Sequence, residues 1–468
     1  MRIPLLALAA SLLCATSTTS AADDAWHARA RDMLAHSIAV PTVAGRGRVP
    51  ELAQYLAGQY RAAGWADRDI HVMPYDGSDN DRTAALIVRW PAAGHARRRP
   101  IMLMAHLDVV EALREDWSMD PFALVEKDGY FYGRGTSDIK QGAVAITAAL
   151  LKLRAEGFRP DRDIVVFFTG DEETDGHGAQ LGATEWRSLL DVEYGLNSDG
   201  GSGGFAPDGR PLGFSFETAE KTYADYAFTA RNPGGHSSKP RPDNAIYDLS
   251  AALMRLSQYR FEPKFSATTR AYFDARQRSE TGALGDAMRA WLKDPNDGAA
   301  ADAVEADPGE VGLTRTRCVA TMLAGGHAPN ALPQTARATV NCRILPGVSP
   351  DAIRDELQRI AGDKVDVTRL DREVASIDSP LRPDVLKAFA DSVHAMYPGA
   401  PILPTMSAGA SDARPFRVHG IPVYGVDGSW GVVPDDLRAH GRDERLPVKA
   451  LYDDVDHWAR MVRALAGR

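Results

Sequence analysis

Residues 101–112 read IMLMAHLDVVEA: five apolar side chains in a row, then His106, Leu107 and Asp108. A run this short and unbroken fits a strand buried on both faces rather than a half-exposed one. The pattern returns at residues 163–173, DIVVFFTGDEE, and at residues 192–200, VEYGLNSDG. Between the first two lies GRGTSDIKQG (133–142), which opens the helical stretch IKQGAVAITAALLKLRAEG. Buried strands alternating with helices predict an α/β fold built on a doubly wound, mostly parallel sheet. In such sheets ligands bind in the crevice beyond the carboxyl ends of the strands. His106, Glu173 and Asp199 follow the apolar runs, Asp138 precedes the helix, and His440 stands in the late segment AHGRDE (439–444). All five are metal-capable, and their placement suggests one site.

Outward from this stretch, ELAQYLAGQYRAAG reads as an amphipathic helix and TAALIVRW as a strand. Near residue 220 the pattern changes. KTYADYAFTARN alternates like a half-exposed strand, PDNAIYDLSAALMRLSQY follows as a helix, and residues 264–312 show no strand pattern, as in a helical insertion or mobile lid. RCVATMLAG and ARATVNCRIL then read as strands, PDAIRDELQRIAG as a helix and DKVDVTRL as a short strand. From about 374 the helix–strand alternation resumes. The organisation expected is a signal peptide at 1–22, a catalytic domain in two parts (23–219 and 374–468), and an inserted α+β lid or dimerisation-type domain at 220–373.

The chain has 468 residues, 44% hydrophobic and 25% charged, with a net charge of −9. That balance suits a globular protein and argues against a nucleic-acid surface. Arg2, the run IPLLALAASLLCA and the small-residue stretch SAA before Asp23 have the order of a secretory signal cleaved after Ala22. Secretion or a periplasmic location is therefore expected. No later segment offers the roughly 20 apolar residues of a membrane span. Of the three cysteines, cleavage would leave Cys318 and Cys342, which flank a hairpin with its midpoint near Asn330. A disulfide and a pair of buried thiols both fit.

Residues i and i+2 of a strand share a face, so Asp108 can reach the His106 imidazole and fix its tautomer. Adjacent side chains diverge, so of Glu172 and Glu173 one can hold a metal while its neighbour faces a water as general base. Mixed nitrogen and oxygen ligands suit zinc, and carboxylate-rich sites also accept manganese or cobalt.

HLDVVEA, GRGTSDIKQG, TGDEET, NSDGG, NPGGHSSKP, AGGHAPNALP, CRILP, GASDARPF and AHGRDE stand in the order of a known family. Across essentially the whole mature chain the sequence resembles acetylornithine deacetylase, succinyl-diaminopimelate desuccinylase, glutamate carboxypeptidase and the carnosinase-like dipeptidases. The resemblance implies two zinc ions: His106 and Asp199 on one, Glu173 and His440 on the other, with Asp138 bridging. It makes Glu172 the base, Asp108 the partner of a ligand, and His236 the group polarising the scissile carbonyl, from this subunit or the other. It places Asn330, Arg343, Gly409 and Ser411 at the substrate, with Arg343 suited to a carboxylate, and it gives the lid a part in a homodimer. Asp199, where deacylases more commonly have Glu, favours peptidases acting on unblocked dipeptides or short peptides. The second expectation is an N-acyl-amino-acid amidohydrolase using the same centre. A metal- or peptide-binding protein on an inactive scaffold would have no need of Glu172.

Overall fold

The computed structural model describes residues 17–77, 81–372 and 374–467; the apolar run assigned to a signal peptide lies outside them. The strands in chain order are β1 (Ile70–Asp76), β2 (Arg82–Trp90), β3 (Ile101–His106), β4 (Val125–Lys127), β5 (Tyr130–Tyr132), β6 (Ile164–Thr169), β7 (Tyr194–Phe205) and β8 (Pro211–Glu220). They continue as β9 (Thr222–Arg231), β10 (Gly235–His236), β11 (Arg317–Gly325), β12 (Ala331–Leu332), β13 (Thr335–Ile344), β14 (Val365–Arg369), β15 (Ile402–Ser407), β16 (Val423–Val432) and β17 (Arg445–Pro447).

An eight-stranded sheet, ordered β1-β2-β6-β3-β7-β16-β8-β15, forms the body. Its centre, β6-β3-β7-β16, is parallel, while β1, β2 and β8 supply antiparallel pairings at the flanks. Side chains of a strand alternate between faces, and here each face has its own core. Ile101, Leu103 and Ala105 join Ile164, Val166 and Phe168 in one layer; Met102 and Met104 join Val165 and Phe167 in the other. Helices Lys140–Ala155 and Val448–Ala466 cover the first face, and the short helices His177–Ala183 and Ala413–Val418 cover the second. Two-sided covering is the reason the strand sequences read as unbroken apolar runs.

The inserted part is a four-stranded antiparallel sheet, ordered β11-β13-β9-β14. Helices Ala245–Gln258 and Pro350–Ala361 pack on one of its faces through Leu249, Leu256, Leu357 and Ile360. Arg343 therefore lies on an interior strand, because β11 pairs outside β13. Cys318 and Cys342 stand opposite each other across that pairing and are joined by a disulfide. The stretch without strand pattern forms three helices, Ala267–Arg276, Gly282–Lys293 and Gly298–Glu305, around a small core of Phe273, Met288, Trp291 and Val304. The first of them packs against β15, the outer strand of the body, and covers an edge that would otherwise be free to pair.

Candidate metal centre

The five metal-capable residues arrive from separate elements. His106 ends β3, Glu172 and Glu173 occupy the turn after β6, Asp138 precedes the helix Lys140–Ala155, and His440 sits in the loop between β16 and β17. Asp199 departs from expectation: it lies within β7, not at its end. β7 runs on to Phe205 because Gly200 and Gly201 allow β16 to pass closely, with a register shift between Gly425 and Asp427. A Cβ on Gly201, at φ +98°, would fall 2.7 Å from the Asp427 amide nitrogen.

Asp138 is the hub. Its Oδ1 lies 3.3 Å from His106 Nε2, and its Oδ2 lies 3.2 Å from His440 Nε2. Glu173 Oε2 is 2.9 Å from the same His440 nitrogen. Glu172 Oε2 is 3.9 Å from His106 Nε2. Ligand atoms of His106, Asp138 and Glu173 all lie within 4.8 Å of one another, as do those of His106, Glu172 and Asp199. Neighbouring Glu172 and Glu173 thus point into two different groupings that share His106.

Asp108 supports both sides. His106 Nδ1 is 3.0 Å from the Asp108 carbonyl oxygen and 3.4 Å from its carboxylate, while Asp108 Oδ2 accepts from the Glu173 backbone N–H at 2.9 Å. Behind Asp138 stands a residue that sequence reasoning missed. The fully buried Glu444 accepts from the backbone N–H groups of Gly135, Ser137 and Asp138 and pairs with Arg134 at 2.5 Å. Its signal was present, an acid four residues after His440 in AHGRDE.

The electrostatics call for positive charge. Burial, reinforced by Asp199, raises Glu172 well above the usual carboxylate range. Burial raises Glu173 and Asp199 to about 7, with the Asp138 charge adding to each. Burial would also raise Asp138, but the His106 and His440 imidazoles outweigh it and hold its carboxyl low. The hydrogen bond to Asp138 lifts His440 to about 9. Buried Glu173 Oε1 and Asp108 Oδ1 have no hydrogen-bond partner. Crowded buried carboxylates, facing imidazoles and an unpartnered carboxylate oxygen form a donor set suited to divalent cations.

The substrate-side candidates are spread differently. Arg343 Nη1 donates to the Ala408 carbonyl at 3.0 Å and its guanidinium sits over the Tyr223 ring, so it touches the loop that carries Gly409 and Ser411. The Gly409 N–H is bonded to Ser407 Oγ, and Ser411 Oγ accepts from the Ala413 N–H. His236 and Asn330 are exposed neighbours on the β10–β12 ribbon, where the Ser237 N–H donates to the Asn330 carbonyl. Among the described residues, no hydrogen bond or ion pair joins His236 or Asn330 to the acid–histidine cluster.

The chain is similar to known proteins over most of its length. The family model for Peptidase family M20/M25/M40 matches residues 102–464. The N-fatty-acyl-amino acid synthase/hydrolase of Xenopus tropicalis is 29% identical over 376 residues, 78% of this chain and 72% of that protein. A probable carboxypeptidase S-like protein of Dictyostelium discoideum is 27% identical over 391 residues, covering 81% of this chain and 74% of the other. The solved structure of an M20 family metallo-carboxypeptidase from Sulfolobus solfataricus shares the fold, with a TM-score of 0.68 at 17% identity over 93% of this chain and 98% of that one. With a metal-suited cluster at the strand ends and a family match that spans it, the chain belongs to Peptidase family M20/M25/M40 and is a metal-dependent hydrolase.

Proposed function

We propose that this protein is an exported two-metal hydrolase that cleaves the amide bond preceding an amino acid with a free carboxylate. The observation that carries the reading is the division of Asp138, one oxygen toward His106 and the other toward His440. His106 and Asp199 would hold one ion, Glu173 and His440 the other, and Asp138 both; zinc is the ion this donor set favours, with manganese or cobalt as alternatives. Two such ions would supply Lewis acidity, making an attacking water more acidic and offsetting the negative charge that builds on the carbonyl oxygen.

The chain's own residues do the rest. Glu172, aimed into the cluster beside His106, takes the proton of the attacking water and returns it to the departing amine nitrogen, so the base is regenerated each cycle. Asp108 keeps His106 oriented. Arg343 and the Gly409–Ser411 loop, already in contact, receive the substrate carboxylate. His236 and Asn330 are exposed and, among the described residues, have no hydrogen bond to their own cluster, which suits delivery to a second subunit's site. β11 supports such a homodimer: it is an outer strand of the lid sheet and exposes Val319, Met322 and Leu323. The Cys318–Cys342 disulfide fits an oxidising compartment, in keeping with the secretory pattern at the N-terminus.

Dipeptides and short peptides are one substrate class that such a centre serves. N-acyl amino acids are the second, favoured by the N-fatty-acyl-amino acid synthase/hydrolase among the relatives. Zinc-loaded protein would be incubated with free dipeptides, amino-blocked dipeptides and N-acyl amino acids, and the products read by mass spectrometry. Release of the C-terminal amino acid by the wild type, with loss of at least a hundredfold in Glu172→Gln at unchanged metal content, is the expected result. Full turnover by Glu172→Gln would remove the mechanism.

A further inference from the structure

A cavity of about 250 Å³ opens directly from the metal cluster, with Asp138 and Asp199 in its wall. It runs between the ends of β7 and β16 and the loop that leads to His440. Neither Arg343 nor the 408–412 loop lines it, so it leaves the cluster by a different route from the expected carboxylate contacts. Its wall is mixed: Ile139, Trp430, Val432, Val433, Leu437 and Leu446 are its large apolar members, beside serines, glycines, Asp427, Asp436 and Arg445.

The charged groups in the wall are already satisfied. Asp427 accepts from the Ser198 hydroxyl at 2.8 Å and from Ser429. Asp436 accepts from the Val432 N–H at 2.7 Å and from Arg445 Nε at 2.6 Å. Apart from the metal-ligand candidates, that leaves no carboxylate in the wall to receive a substrate ammonium, and such a charge would lose its hydration there without gaining a partner. An uncharged acyl chain has no such charge to strip of water, and its apolar part can lie along the Trp430 and Leu437 side of the wall. Leu437 marks the mouth, with 73% of its surface exposed, where a bound chain would cover it.

We propose that this cavity is the acyl-side pocket and that it selects an uncharged, apolar N-acyl chain over a free amino terminus, with Leu437 and Trp430 as specificity-determining residues. The proposal rests on the hydrolase reading above, because that reading assigns the carboxylate to the Arg343 side and leaves the acyl group this cavity. Trp430 is held in place for the role. Its indole N–H donates to Asp453 at 2.8 Å, and its ring packs 4.8 Å from that of Phe205.

The test is a chain-length series on the zinc-loaded protein: N-acyl leucines and phenylalanines from acetyl to decanoyl, beside the corresponding free dipeptides. Turnover is read as kcat/KM, and binding of the same compounds to zinc-loaded Glu172→Gln is read by calorimetry. Each methylene that enters the cavity is expected to raise kcat/KM and affinity by about threefold to fourfold until the space is filled. Leu437→Asp is expected to lower the decanoyl-to-acetyl ratio at least tenfold. A flat or falling series in both readouts, a preference for free dipeptides, or an equal loss for all chains in Leu437→Asp would overturn the pocket. Chain-length-dependent binding without turnover would leave the pocket standing and remove the hydrolase reading. Neither binding nor turnover would remove both.

Discussion

Glu172 and Glu173 share a peptide bond and little else. Glu173 lies 2.9 Å from His440, while Glu172 is grouped with His106 and Asp199. The turn after β6 makes this division, giving two acids of the same type two different environments. Glu444 works one layer back. Its carboxylate gathers three backbone N–H groups of the segment before the helix and one arginine, and thereby fixes where Asp138 points. Glu444→Gln would leave Arg134 buried without its counter-charge, at a cost of about 3–5 kcal/mol. It would also weaken metal affinity about 10- to 100-fold, as loss of groups behind metal ligands does elsewhere. Thermal unfolding and competition with a metal-binding dye would measure the two effects, and unchanged metal affinity would show that Asp138 holds its position unaided.

Among the elements, β11 is the most exposed part of the lid. Its residues from Val319 to Gly325 are exposed on both faces, and it has a strand partner on one side only, β13. The helix Ala245–Gln258 adds Tyr247 and Met254, 70% and 58% exposed. Apolar side chains next to an unpaired strand edge form an association surface. The double substitution Met322→Lys and Leu323→Lys should therefore give a monomer by light scattering, with the lid still folded because neither side chain is buried. If His236 serves a partner's site, the same change should also reduce turnover without reducing metal content. A monomeric wild type would exclude the dimer.

For the whole molecule, the central issue is acid concentrated at the junction of many elements. Burial places Glu173 and Asp199 at about 7, above their ordinary values of 4.5 and 3.8. Carboxyls raised in this way stabilise the fold while protonated, below about pH 4, and lose that contribution as pH rises through about 7. Chelated protein should thus become less stable between roughly pH 4 and 7, whereas zinc-loaded protein should not follow that decline. At a free ion concentration a hundredfold above Kd, binding adds about 2.7 kcal/mol per site. Calorimetric melts at several pH values, with and without chelator, would show this; parallel curves would mean that the acids do not bear on stability.

Much of this was legible in the residues. The unbroken runs before His106 and Glu172 reveal strands covered on both faces, because alternate side chains must each meet a core. Period-2 alternation at KTYADYAFTARN and the helices beside it reveal the one-faced lid sheet. The types of the site residues were equally plain, since only acids and histidines repeat at those strand ends. The sequence could not settle the position of Asp199 within β7, which depends on Gly200 and Gly201 meeting Gly425 and Asp427 of β16, distant in the chain. Nor could it show the interior place of Arg343, whether Cys318 and Cys342 are joined, or the duty of Glu444, all set by strand order and long-range pairing. Local pattern determined what each segment becomes and which groups can bind a cation. Only tertiary packing decided which side chains share a volume, because burial, like-charge crowding and the division of Asp138 between two histidines arise when distant segments are brought together.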